Sequence, residues 1–136
     1  MASDEQIDIV AKHYIIAALW ADCVEETHPQ VPKKEAAVAR EVCRKFIEQC
    51  EAAGGLFTQA MACFDDGYGK HPDAGSAEAA FGHDLWLTRQ GHGVGFWDRK
   101  RDGLPEKLGR ALTEQARKLG VCSYYQQKGW WYFDEN

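Results

Sequence analysis

From Gly82 to Asp98 the chain reads Gly-His-Asp-Leu-Trp-Leu-Thr-Arg-Gln-Gly-His-Gly-Val-Gly-Phe-Trp-Asp, seventeen positions with four glycines, two tryptophans and two histidines. Glycine is needed where the backbone takes a positive φ or runs close against another segment. Four of them among aromatic residues predict a corner, where the chain reverses against a large side chain, Trp86 or Trp97. On that reading Gly91 ends a helix, and Gly93 and Gly95 allow the close reversal. His92 and Arg89 donate hydrogen bonds to carbonyls the reversal exposes, and Asp98 accepts from backbone N–H groups.

The flanking sequence is helical in pattern. Ser3-Asp4-Glu5-Gln6 is a capping box, and it opens a helix predicted to run to about Cys23. Two adjoining apolar stripes, Ile7/Val10/Tyr14/Ala17/Ala21 and Ile9/His13/Ile16/Trp20, predict a wide buried face with His13 packed inside it. Pro32 suits the first turn of a second helix, which places Val38, Val42, Phe46 and Cys50 inward and Lys33, Lys34, Arg40, Arg44 and Lys45 outward. Gly54-Gly55 closes it. A short third helix spans Leu56 to Phe64, followed by a turn-rich loop from Asp65 to Gly75. Asp65-Asp66-Gly67 in that loop lacks the alternating oxygen ligands and distal glutamate of a calcium loop.

Ser76 caps a helix to about Gln90, and Val94 to Asp98 alternates as a strand. Pro105 and Gly120 bracket a final helix with Leu108, Leu112, Ala116 and Leu119 inward. Val121 to Phe133 reads as a hairpin about Gln127-Lys128-Gly129. The expected fold is one α+β domain over residues 1–136, with four to five helices and a small three-stranded antiparallel C-terminal sheet. Residues 1–64 form its helical part; 76–136 hold the motif helix, strand, helix and hairpin.

Charge and cysteine usage narrow the partners. The net charge is −5, with acidic excess in 1–30 and 51–98 and basic excess in 31–50 and 99–136. Phosphate binding calls for a basic surplus, so direct nucleic-acid binding is not expected. The start is acidic and the longest apolar run, Ile15 to Ala21, falls far short of a span, so no membrane association is expected. The five cysteines show no C-x-x-C pairing. Cys43 and Cys50 share a helix face, but seven residues of rise separate them by about 10 Å, beyond the ~7 Å reach of a disulfide. Buried reduced thiols of a cytoplasmic protein are expected.

Chemistry, if the motif carries any, falls to His92, His83, Asp84 and Asp98. His92 would move a proton, oriented by Asp84 or Asp98, as in a small His/Asp-dependent hydrolase or a metal-dependent enzyme. No serine or cysteine nucleophile stands at an evident elbow. Gly91, Gly93 and Gly95 lead into a strand rather than a helix N-terminus, so they are no phosphate fingerprint. No cofactor is expected, and His83 and His92, nine residues apart across a helix end and a turn, leave convergence on a metal possible without implying it. The stronger reading is architectural: the stretch holds the fold, and function is surface recognition.

The same run, followed by a helix ending in Leu-Gly and a Tyr-rich hairpin closing on Trp-Tyr-Phe, resembles a group of small, mostly uncharacterised proteins of tailed phages and prophages. Their segment is similar to G-H-D-F-W-L-T-R-N-G-H-G-A-G-F-W-D. The likeness covers residues 82–133; Ala11 to Ala21 is similar in kind. This chain departs from the group at Gln126-Gln127-Lys128-Gly129, where an acidic turn is common, and in the extra loop Asp65–Gly75. The resemblance implies a phage or prophage accessory protein acting in the cytoplasm of a host bacterial cell. By class-level analogy it binds and inhibits or remodels a host defence complex, CRISPR effector complexes among them; a structural or assembly role in the phage is the other expectation from that origin. Trp97, Arg89, Trp130, Trp131 and Tyr132 are the candidate contacts, of the residue types that dominate interface energetics.

Overall fold

The computed structural model describes residues 2–23 and 29–134. Among these residues five α-helices precede an antiparallel pair of strands: α1 (Asp4–Asp22), α2 (Lys33–Ala52), α3 (Leu56–Ala62), α4 (Ala77–Arg89), α5 (Glu106–Lys118), β1 (Ser123–Gln127) and β2 (Trp130–Asp134). The class is α+β.

Helix starts follow local chemistry. At α1 the Ser3 hydroxyl accepts from the Gln6 N–H (3.1 Å) and the Gln6 side chain accepts from the Ser3 N–H (3.0 Å), so two otherwise unpaired donors are met. The Ser76 hydroxyl likewise accepts from the Ala79 N–H at α4, and α2 and α5 each start directly after a proline, Pro32 and Pro105. On the outer face of α2, Arg40 reaches across to Asp8 and Asp4 of α1, and Arg44 pairs with Glu41 and Glu48 of its own helix.

The closest packing is between α1 and α4, and Gly82 permits it. A Cβ at Gly82 would lie 2.2 Å from the Val10 carbonyl oxygen and 3.0 Å from the Tyr14 nitrogen. With no side chain there, the two helix backbones touch. Around this contact Val10, Tyr14, Ala17, Phe81, Leu85 and Trp86 are fully buried. A second part of the same core holds Phe46, Phe57, Phe81 and Phe96, with Phe57 edge-on to Phe81 at 5.0 Å. Aromatic pairs of this kind contribute about 0.5–1.5 kcal/mol beyond their buried area.

β1 and β2 form the expected hairpin, with Gln127 opposite Trp130. Lys128 (φ 51°) and Gly129 (φ 82°) make the two-residue turn, both at the positive φ that a type I′ connection requires. Gln30 adds a single parallel bridge to β2, its N–H donating to the Gly129 carbonyl and its carbonyl accepting from the Trp131 N–H. Trp131 and Phe133 point inward against Trp86 and Tyr14.

Among the described residues the sheet has two strands rather than three. Residues 94–98 alternate, but a strand needs a neighbour for its backbone groups. Here the Phe96 N–H donates to the Thr88 hydroxyl (3.0 Å) and the Asp98 N–H to the Gly95 carbonyl (3.0 Å), curling Phe96–Asp98 into one 3-10 turn. Phe96 then enters the core between Phe46 and Phe81. The reversal does run against a side chain, though not a tryptophan: a Cβ at Gly95 would sit 2.3 Å from the Thr88 hydroxyl oxygen.

Candidate functional site

One face of the molecule carries a cleft of about 470 Å³. α1 supplies Ile16 and Trp20, α4 supplies His83, Asp84 and Leu87, and the loops after the third and fourth helices supply Tyr68, His71, Asp73, Val94, Arg99 and Asp102. The stripe Ile9/His13/Ile16/Trp20 was expected to be buried with its neighbour. Instead Ile16 is 38% and Trp20 76% exposed. α4 covers only one side of α1, and the outer part of the adjoining stripe, Ile16 and Trp20, becomes a wall of the cleft. The apolar arc of the sequence was wider than one packed neighbour covers, and that was its only signal.

The polar floor is built around Asp84, which is 1% exposed. The Tyr68 hydroxyl donates to its Oδ2 (2.8 Å) and the Arg99 Nε to its Oδ1 (2.8 Å), with a second Arg99 nitrogen at 2.8 Å. Burial pushes the Asp84 carboxyl up and the Arg99 guanidinium opposes it; burial and the Asp84 charge raise the Tyr68 phenol well above its ordinary value. Gly103 lets these loops meet. Its φ is +98°, and a Cβ would lie 2.6 Å from the Asp66 carbonyl oxygen, so only glycine brings the Arg99–Gly103 segment against the turn that carries Tyr68.

Beside Asp84, His83 Nε2 lies 3.0 Å from His13 Nδ1. One ring donates to the lone pair of the other, which requires at least one uncharged imidazole. Burial, then His13, His71 and Arg99, lower the His83 pKa to about 4; burial and Lys12 lower that of His13. The pair is therefore held toward its uncharged form, and of the two it is His83 that lines the cleft. The sequence placed His13 in a packed face; its partner is a histidine seventy positions away in the chain.

The four residues considered for acid–base chemistry are not assembled into one site. His83 and Asp84 line the cleft, whereas His92 and Asp98 do not. The His92 Nε2 lies 3.0 Å from Asp22 Oδ2, an oxygen that also accepts from the Trp86 indole N–H. Tyr124 adds a long bond to Asp22 Oδ1 (3.4 Å). Asp22 thus gathers the end of α1, the motif and the hairpin, a role that nothing in the sequence signalled. Asp98 is exposed. Among the described residues no three His, Cys, Asp or Glu side chains are grouped so as to hold a metal ion.

The five candidate contact residues divide. Trp97 (46%) and Trp130 (40%) are exposed, and Tyr132 is half-buried against Tyr125. Trp131 is fully buried, stacked on Tyr124 at 4.6 Å, and Arg89 is 7% exposed. Arg89 donates to the Tyr14 hydroxyl (2.9 Å) and to the carbonyls of Gly120 (2.7 Å) and Leu119 (3.4 Å). It satisfies the end of α5 rather than the reversal beside it. Arg89 and Trp131 are therefore core residues and do not reach a partner in this fold.

Among the described residues no helix is long and apolar enough to cross a membrane, and all five cysteines are thiols, four of them buried. Comparison with known protein families, with curated proteins and with solved structures finds no match.

Proposed function

We propose that this chain is a non-enzymatic recognition protein of phage or prophage origin that binds a host defence complex, of the CRISPR effector kind among others, and inhibits or remodels it. The observation that carries the recognition reading is the exposed apolar lip formed by Trp20, Ile16 and Val94. A tryptophan three-quarters exposed beside a cleft is the residue type and setting from which interface hot spots are built. The polar groups of the motif support the same reading, because Asp84, Arg89 and His92 are each engaged in holding elements together. The phage origin and the class of target rest on the motif resemblance.

A plaque assay tests this. The chain is expressed in bacteria carrying defined defence systems, each challenged with a phage that it restricts. Plating is expected to recover against one of the systems, and Trp20→Ala should abolish the recovery while the protein stays folded. Unchanged plaque counts across the whole panel would refute the reading.

A further inference from the structure

The lip names where a partner would sit, and the charges behind it name what the partner presents. Resting on the recognition reading above, we infer that the cleft takes the guanidinium of an arginine displayed by the partner protein. Three carboxylates line it, Asp73, Asp84 and Asp102, against one guanidinium, Arg99. Arg99 donates to Asp84, so these two charges are spent on each other. That leaves Asp73 and Asp102, both exposed; Asp102 has only a loose approach from Arg99 at 3.8 Å. The His13/His83 pair is held toward its uncharged form, and His71 brings a third imidazole to the cleft. The nearest lysine in sequence, Lys70, is held elsewhere, over the Phe64 ring at 5.3 Å and within 3.4 Å of the Asp65 carbonyl oxygen.

The shape of the cleft selects arginine among cations. Its apolar wall of Ile16, Leu87 and Val94 suits the methylene stem of a long side chain. The indole of Trp20 is exposed, and a guanidinium can lie flat on such a ring while its in-plane N–H donors stay directed at carboxylates, a combination that favours it over an ammonium. A macromolecular partner fits better than a free small cation, because Trp20 stands 76% exposed and extends contact beyond the cleft. The chain's net charge of −5 steers it toward basic surfaces and away from phosphates. Complexes that handle nucleic acid are rich in such surfaces.

The test uses the intact protein and three short probes: acetyl-Arg-Leu-amide, its neutral isostere with citrulline, and its glutamate counterpart. Binding is read by NMR at the Trp20 indole N–H and at the methyl groups of Ile16, Leu87 and Val94. The arginine peptide is expected to shift all of these saturably, the citrulline peptide to bind at least about tenfold more weakly, and the glutamate peptide not to bind. Asp73→Asn with Asp102→Asn should weaken the arginine peptide by about tenfold, and added salt should do the same. Equal binding of the arginine and citrulline peptides, binding of the glutamate peptide, or no shifts with the arginine peptide would overturn the assignment.

The plaque assay separates this inference from the function it rests on. If the double asparagine variant suppresses defence as the natural chain does, while Trp20→Ala does not, the arginine assignment falls and recognition stands. If the arginine peptide binds as expected but no defence system is suppressed, the cleft assignment stands and the counter-defence reading falls.

Discussion

Replacing Gly82 with alanine probes the contact on which the architecture depends. The new Cβ would lie 2.2 Å from the Val10 carbonyl oxygen and 3.0 Å from the Tyr14 nitrogen, where non-bonded contacts to carbon settle at about 3.5 Å. Both obstructing atoms are backbone inside α1, so no rotamer change relieves them. The helices must part by about 1 Å, loosening a contact lined by fully buried Val10, Tyr14, Phe81 and Trp86. Overpacking of this kind costs about 1–3 kcal/mol, and a rigid obstruction belongs at the upper end. Alanine returns about 1 kcal/mol of helix propensity, leaving a net loss of about 2 kcal/mol and a fall in Tm of roughly 6 °C. Urea denaturation followed by tryptophan fluorescence reads this as a lower midpoint at unchanged slope. Ala37→Gly, on the exposed face of α2, calibrates the propensity contribution in the same protein. On a loosely packed helix alanine would stabilise, so an unchanged or raised midpoint for Gly82→Ala would refute the close contact.

Three further outcomes follow from the same geometry. Asp84→Ala strips Arg99 and Tyr68 of their shared acceptor and should cost about 3–5 kcal/mol, with Asp84→Asn, which loses the charge but keeps an acceptor, costing less; a loss below about 1 kcal/mol for Asp84→Ala in urea titrations would deny the ion pair its role. Arg89→Met should destabilise by about 2–4 kcal/mol, since it removes the bonds that Arg89 donates to the Tyr14 hydroxyl and to the Leu119 and Gly120 carbonyls, whereas Trp20→Ala should stay within about 0.5 kcal/mol of the natural chain. His83 is held neutral by the fold, with its pKa lowered to about 4 from an ordinary value near 6.5. The stability it contributes is present in full above about 6.5 and is lost as the pH falls toward 4, because the unfolded chain binds the proton more readily. Its half-buried ring reduces the full effect of about 3 kcal/mol to about 1–2 kcal/mol. His83→Gln should accordingly lose less stability than the natural chain between pH 7 and 4, and identical pH slopes would contradict the assignment.

The division between what was legible and what was not follows the range of the interactions. Helix starts at Ser3 and Ser76, the helix closed by Gly120 and the hairpin turn at Lys128-Gly129 were readable because a cap or a turn is decided within a few residues. The segment 94–98 was misread for the same reason in reverse. Its alternation is that of a strand, but the Thr88 hydroxyl captured the Phe96 N–H and no neighbouring strand competed for it.

The linear order of residues by itself determined the α+β class, the four to five helices and the C-terminal hairpin, since each follows from local propensity and periodicity. Only the packed molecule decided that Arg89 and Trp131 lie inside while Trp20 stands outside, that His83 meets His13, and that His92 turns to Asp22. Those outcomes depend on which face of α1 the fourth helix covers. That is a matter of two backbones meeting at Gly82, and periodicity along a single helix cannot tell one apolar stripe from its neighbour.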